Sequence, residues 1–529
     1  MKTNRWLMPL LVASAGVLIL LHHITYQPAL SQGDHGRDLY AAAASLRGDV
    51  PYRDYWWVYG PLMPSYYGLF FKFFGMTVPS ILLGKLVLNV LSGVLCYLAL
   101  SALMAPLWAF LGALWFWSFQ PDFFFTYNHA GGITMITAVI AALFSYLAGG
   151  KVRFLWLGLT AIFILGLIKV NFGLCALFSF SASVFVIDRI QGYAKPSGRK
   201  LFYLTALGFL PLAFFAVYTL LLQGLPLYYI RQCLPYLRSD HPYHMAFLDV
   251  VRLWIDGTWM NMNISWPNRF FGVLILAATL QSAALVSQKA VERRTVLAAG
   301  ILVFFYVTHL HEFLDGGVFY RTFWSKPFSI LLTFLVLETA FRRMASAVKV
   351  LLFGTLLLAV ALNLFEQIDI IRAKKLPEQY LAHPRAEVIT GNAPQWIDTV
   401  QRTTGYLETH LKKDETFFAL PYDVIYYYLS GRASPTRQLI FFEHINITPE
   451  QEKDIIAGLE AKGVRTIVLS SRMRVRIEGG MGIFGETHCP LLWQYIQTHY
   501  KPAAQFGDWV NEPGWAWNHG TVVLEKTGE

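Results

Sequence analysis

Asp34, Arg37 and Asp38, followed by Asp49, Arg53 and Asp54, gather acids and guanidinium groups directly after the first hydrophobic span. A carboxylate held beside a reacting centre can take up a proton as a bond forms. A nearby cation can stabilise an anion that develops or departs. Ionisable side chains beside a bilayer are costly and tend to mark a working site. The plainer alternative is a solvated loop with a helix lying on the membrane surface.

Cations elsewhere extend that chemistry. Lys169 stands out because its neighbours are almost wholly apolar, and Lys72, Arg321 and Lys326 fall near the ends of hydrophobic blocks. Lys169, Arg321 and Lys326 also read as side chains snorkelling to the interface, which is the simpler account of Arg321 and Lys326. Arg53 and Asp54 also read as a local ion pair. Tyr52, Tyr55, Trp56, Trp57 and Tyr59 read first as an interfacial belt, with stacking on a ligand as the alternative. Asp122 and the triplet Tyr127-Asn128-His129 form a second polar group. His309, His311, Glu312 and Asp315 superficially suggest zinc, but their spacing matches no strong metal signature, and a polar cluster touching a ligand fits better. Gly479-Gly480-Met481-Gly482 lacks the lysine of a phosphate loop.

The elements that must position these groups are membrane helices. The 529 residues are 55% hydrophobic and 14% charged, well below the roughly 25% charged of a soluble domain. Apolar blocks predict spans at 6–22, 79–101, 105–119, 130–148, 154–168, 172–188, 201–223, 269–287, 295–310, 325–341 and 347–365, about eleven in all. The 154–188 block is expected to be a close pair of helices, because Lys169, Asn171 and Gly173 mark a turn in its middle. Met1 to Leu21 resembles a signal peptide without a small-residue cleavage site, so it is expected to stay as the first helix. The net charge of +10 sits largely in short loops, where orientation rules explain it better than nucleic-acid binding. Those basic loops fall on alternate connections. The acid-rich 22–78 loop, the 120–129, 224–268 and 311–324 loops and the C-terminal tail share the other, extracytoplasmic, side.

Beyond residue 369 charges become frequent. An amphipathic helix at 394–413, a strand at 417–422, a helix near Val424–Leu429, a capping box at Thr448 opening a helix to Lys462, and a strand at 465–470 predict a small α/β domain. The chain therefore divides into a membrane module, 1–368, and a domain of 369–529.

The run Asp34, Gly36, Arg37, Asp38, Tyr40, then Leu46-Arg47-Gly48, Pro51-Tyr52-Arg53-Asp54 and Gly60-Pro61-Leu62 resembles the first periplasmic loop of GT-C glycosyltransferases. It is most similar to the branch of the dolichyl-phosphate-mannose mannosyltransferases and the lipid A aminoarabinose transferase. Lys169-Val170-Asn171-Phe172-Gly173-Leu174 adds a weaker likeness. A His at position 35 departs from the Glu common in relatives.

The resemblance implies a polytopic GT-C-like fold and an inverting transfer of sugar from a polyprenyl-phosphate donor to a hydroxyl outside the cytosol. Asp34 falls at the catalytic acid–base position, and Asp38 and Asp122 would be secondary acids. Arg37, Arg53, Lys169 and Arg321 would hold the donor phosphate. Tyr40, Tyr52, Tyr59, Asn128, His129, His311 and Glu312 would contact substrate. No metal ligand is assigned, although a divalent ion is compatible with a diphosphate donor. The expected partners are the lipid-linked donor, a glycan, lipid or protein acceptor, and membrane lipids, with no nucleic acid. The location would be the inner (plasma) membrane. A transporter and a non-catalytic membrane scaffold are the competing classes.

Overall fold

A computed structural model describes residues 7–118, 126–193, 292–316, 319–342, 344–373, 377–473, 482–509 and 520–527, with isolated positions between 210 and 252. Its helices begin with α1 (Leu7–Leu20), α2 (Asp34–Arg47), α3 (Leu62–Phe74), α4 (Val78–Ser101), α5 (Pro106–Ser118), α6 (Asn128–Gly149), α7 (Arg153–Ile168) and α8 (Val170–Gln191). They continue with α9 (Arg293–Thr308), α10 (His311–Gly316), α11 (Lys326–Phe341) and α12 (Ser346–Ala373).

Among the described residues, five helices are long and apolar enough to cross a bilayer: α1 with its extension to Thr25, α4, α6, α8 and the first part of α12. The shorter α5, α7, α9 and α11 pack into the same core. α6 is the most enclosed, with 83% of its apolar window buried, whereas α1 and α12 have 17% and 11% buried and turn their side chains outward. The expected spans at 201–223 and 269–287 lie outside the described residues. The 154–188 block is a pair of helices as expected, with Lys169 in extended backbone between α7 and α8 (φ −153°, ψ 105°).

The first loop is a structured unit. α2 carries four consecutive alanines at 41–44, buried to 3% exposure or less. These are strong helix formers and small enough for close packing. The helix stops at Gly48, whose backbone N–H caps Ala44 and Ser45. The expected alternative of a solvated surface helix does not hold, because ten consecutive α2 residues, His35 to Ala44, are buried. Its cover comes from the far end of the chain. Strand β1 (Tyr26–Gln27) pairs in parallel with β3 (Val388–Thr390), which pairs antiparallel with β2 (Tyr380–Leu381). One hydrophobic core then joins Leu39, Tyr40 and Tyr55 of the loop to Trp396, Tyr422 and Tyr427.

The remainder is a mixed sheet in the order β4 (Phe418–Leu420), β5 (Thr466–Ser470), β7 (Thr521–Lys526), β6 (Tyr500–Phe506). Helices α13 (Pro394–His410), α14 (Ile425–Ser430), α15 (Pro449–Ala461) and α16 (Pro490–His499) accompany it. The capping box at Thr448 and Gln451 opens α15 as expected.

Candidate active site

Asp34, Arg37 and Asp38 occupy the first turns of α2, where i, i+3 and i+4 side chains are neighbours. Arg37 is the hub. It donates from Nη1 to Asp34 Oδ1 at 3.2 Å, and from Nη2 and Nε to Asp38 Oδ1 at 2.9 and 3.1 Å. Its Cζ lies 4.8 Å from the Tyr59 ring centroid and 5.5 Å from that of Trp57. The backbone N–H of Asn128, at the start of α6, donates to Asp38 Oδ2 at 3.3 Å.

The two acids differ in access. The Asp38 side chain is 3% exposed and that of Asp34 is 30% exposed. Burial raises the Asp38 carboxyl above its ordinary value against the opposing pull of Arg37. Burial would lower the Arg37 guanidinium, yet Tyr422 and Asp38 override it and hold it firmly protonated. Asp38 is thus enclosed and held by Arg37, and Asp34 is the more accessible of the two acids.

A second cluster adjoins the first through Tyr59. Lys169 Nζ lies 5.6 Å from the Tyr59 ring, 5.0 Å from Phe172 and 4.9 Å from Trp324, and it pairs with Glu312 Oε1 at 2.6 Å. Asn171 Nδ2 donates to the same carboxylate oxygen at 2.9 Å and meets His311 Nε2 at 2.8 Å. Arg321 donates to the Glu312 carbonyl oxygen at 3.4 Å. Burial would raise the Glu312 carboxyl, but Lys169 and Arg321 outweigh it and keep it well below the usual range. Gly60 brings the loop onto this turn: its N–H donates to Ile168 O at 2.8 Å, and a Cβ there would lie 1.9 Å from Leu167 O.

The other expected residues fall in several places. His129 lies between Tyr59, Phe323 and Trp324, with ring centroids 5.0–5.6 Å away. Asn128 is buried, and neither polar atom of its amide has a hydrogen-bond partner among the described residues. Tyr40 and Tyr52 are tied to structure instead: the Tyr40 hydroxyl accepts from Ser434 N at 3.1 Å, and Tyr52 donates to the Tyr59 carbonyl. Arg53 pairs with its neighbour Asp54 at 2.7 Å, the local ion pair considered above. Lys72 is exposed. The expected aromatic belt differs from the structure, since Tyr52, Tyr55, Trp56 and Trp57 are 1–6% exposed. Their rings fill the joint between the loop and residues 381–442 and do not face lipid. Asp122 lies outside the described residues. Among the described residues no three His, Cys, Asp or Glu side chains converge to hold a metal ion.

Sequence reading missed Tyr422 and Trp324 as members of the site. Tyr422 closes the expected strand at 417–422, and nothing in the local pattern ties it to a loop almost four hundred residues earlier. It donates to Asp34 Oδ1 and accepts from Arg37 Nη1, both at 3.0 Å.

No protein-family model and no curated protein matches the sequence. Solved structures do. ArnT from Cupriavidus metallidurans bound to undecaprenyl phosphate matches with a TM-score of 0.54 at 11% identity, covering 98% of each chain. Its apo form matches with a TM-score of 0.52 at 11% identity, covering 97% of each chain. The apo oligosaccharyltransferase of Archaeoglobus fulgidus matches with a TM-score of 0.52 at 12% identity, over 90% of this chain and 71% of that one. The chain thus has the fold of these ArnT and oligosaccharyltransferase structures.

Proposed function

We propose that the protein is an integral-membrane glycosyltransferase that moves a sugar, with inversion, from a polyprenyl-phosphate donor to an acceptor hydroxyl on the extracytoplasmic face. Asp34 is the general base. It takes the proton of the acceptor O–H as that oxygen attacks the anomeric carbon, and the sugar–phosphate C–O bond breaks to release polyprenyl phosphate. The carrying observation is the partly exposed Asp34 carboxylate, which receives two hydrogen bonds on Oδ1 beside a cation-rich cluster. Lys169 and Arg321 stabilise the departing phosphate, and an ammonium retains donors for an anion while paired to one carboxylate. The Asn128 amide, buried with no partner among the described residues at a cost, takes a substrate hydroxyl, and Tyr59 and His129 form the wall between the two clusters. Undecaprenyl phosphate is bound to the ArnT structure of the same fold, which agrees with a lipid-borne donor.

On this reading about eleven helices span the inner membrane, with the first loop and residues 369–529 outside the cytosol. The test is a comparison of glycolipids and surface glycans from cells carrying the wild-type or Asp34→Asn chain. One sugar substituent disappears in the variant while the protein inserts at normal levels, and transfer in isolated membranes falls about 100- to 10,000-fold. An unchanged glycan profile with Asp34→Asn rejects the reading and favours a scaffold.

A further inference from the structure

We infer that Tyr422 is a positioning residue of the proposed reaction, so that the C-terminal segment supplies part of the active site; this rests on the general-base role of Asp34. The Tyr422 hydroxyl sits between the two ionic partners, accepting from Arg37 and donating to Asp34 Oδ1. Arg37 also donates to Oδ1. Two donors on one oxygen fix the carboxylate plane and draw charge onto Oδ1, so Oδ2 is the atom left to face the acceptor. The ring is 1% exposed and packs edge-on against Phe442, with centroids 5.9 Å apart, so the hydroxyl is held in place. The segment that carries it is anchored too. Ile425 N donates to Gln32 O at 3.0 Å, Asn392 exchanges hydrogen bonds with Leu30 at 2.7 and 2.8 Å, and Trp56 N donates to Arg437 O at 2.8 Å. A loop strapped at several points to residues 388–437 cannot orient Asp34 without them.

The experiment uses the full-length chain in membranes or detergent. Tyr422→Phe keeps the ring and removes the hydroxyl. kcat falls about tenfold, equivalent to one lost hydrogen bond in the transition state, while KM for donor and acceptor stays within about twofold. In parallel, melting temperatures are measured for wild type, Tyr422→Phe, Asp34→Ala and the double variant. The hydroxyl keeps its bond from Arg37 when Asp34 is absent, so Tyr422→Phe lowers the melting temperature less in the Asp34→Ala background than in wild type. Equal losses in both backgrounds overturn the contact. Coupling with unchanged kcat overturns the positioning role and leaves the base role standing if Asp34→Asn is inactive. Full activity of Asp34→Asn overturns both.

Discussion

The Asp34 cluster and the Lys169 cluster share the Tyr59 ring, but they are built differently. In the first, one cation serves two acids a single helical turn apart, so one carboxylate can stay 30% exposed while the other is buried. In the second, a lysine and a glutamate from distant segments pair, their side chains 9% and 12% exposed. The first arrangement leaves one acid accessible, as the proposed proton transfer requires. The second holds a desolvated cation whose charge is neutralised by its carboxylate. Acids and bases balance across the pair: Asp34, Asp38 and Glu312 against Arg37, Lys169 and Arg321. On the proposed reading, a donor phosphate at this site would meet organised donors without meeting a net negative field.

The comparison breaks most visibly at the ion pair. Lys169→Met or Glu312→Gln alone leaves a buried charge unmatched and lowers stability by about 3–5 kcal/mol, read as a drop in melting temperature. Lys169→Met with Glu312→Leu restores most of that stability but not transfer. A double variant with full activity would end the proposed phosphate role of the lysine. A smaller effect is expected where the first cluster meets the C-terminal segment. A Cβ on Gly36 would lie 2.4 Å from Ile425 N, a backbone atom that cannot swing aside. Gly36→Ala should cost about 2–3 kcal/mol and reduce transfer through misplacement of Asp34, while an unaltered melting curve would show that the joint is loose.

The smallest expected effect concerns Asp423, next to Tyr422. Its Oδ2 accepts from Ser470 Oγ at 2.7 Å, and burial pushes the carboxyl up to about 6, with the Arg472 charge opposing. A carboxyl raised above its unfolded value of about 3.9 favours the folded state when protonated. The benefit is complete below that value and is lost as pH climbs through about 6. Wild-type stability should therefore fall across this window, by at most about 3 kcal/mol for a shift of this size, and Asp423→Asn should flatten the slope. Equal slopes in the two proteins would refute it.

Much of this was legible in the chain. Periodic apolar blocks marked α4, α6 and α8 because spanning a bilayer demands length and hydropathy that few other structures need. The break at Lys169 was visible because an isolated charge amid apolar residues forces a turn. Thr448 and Gln451 marked the start of α15 through local hydrogen bonds that sequence neighbours make alone. Asp34 stood out by resemblance, and Arg37 and Asp38 by spacing.

Pairing across the chain was another matter. That Lys169 meets Glu312, that Arg37 is saturated by two acids, and that the Tyr55–Trp57 aromatics are buried in a joint, not spread on lipid, depended on which distant surfaces close over the first loop. Residue type and spacing determined what chemistry this protein can carry. Only the tertiary structure decided which acid stays accessible and which hydroxyl holds it, because burial and charge pairing are properties of neighbours in space.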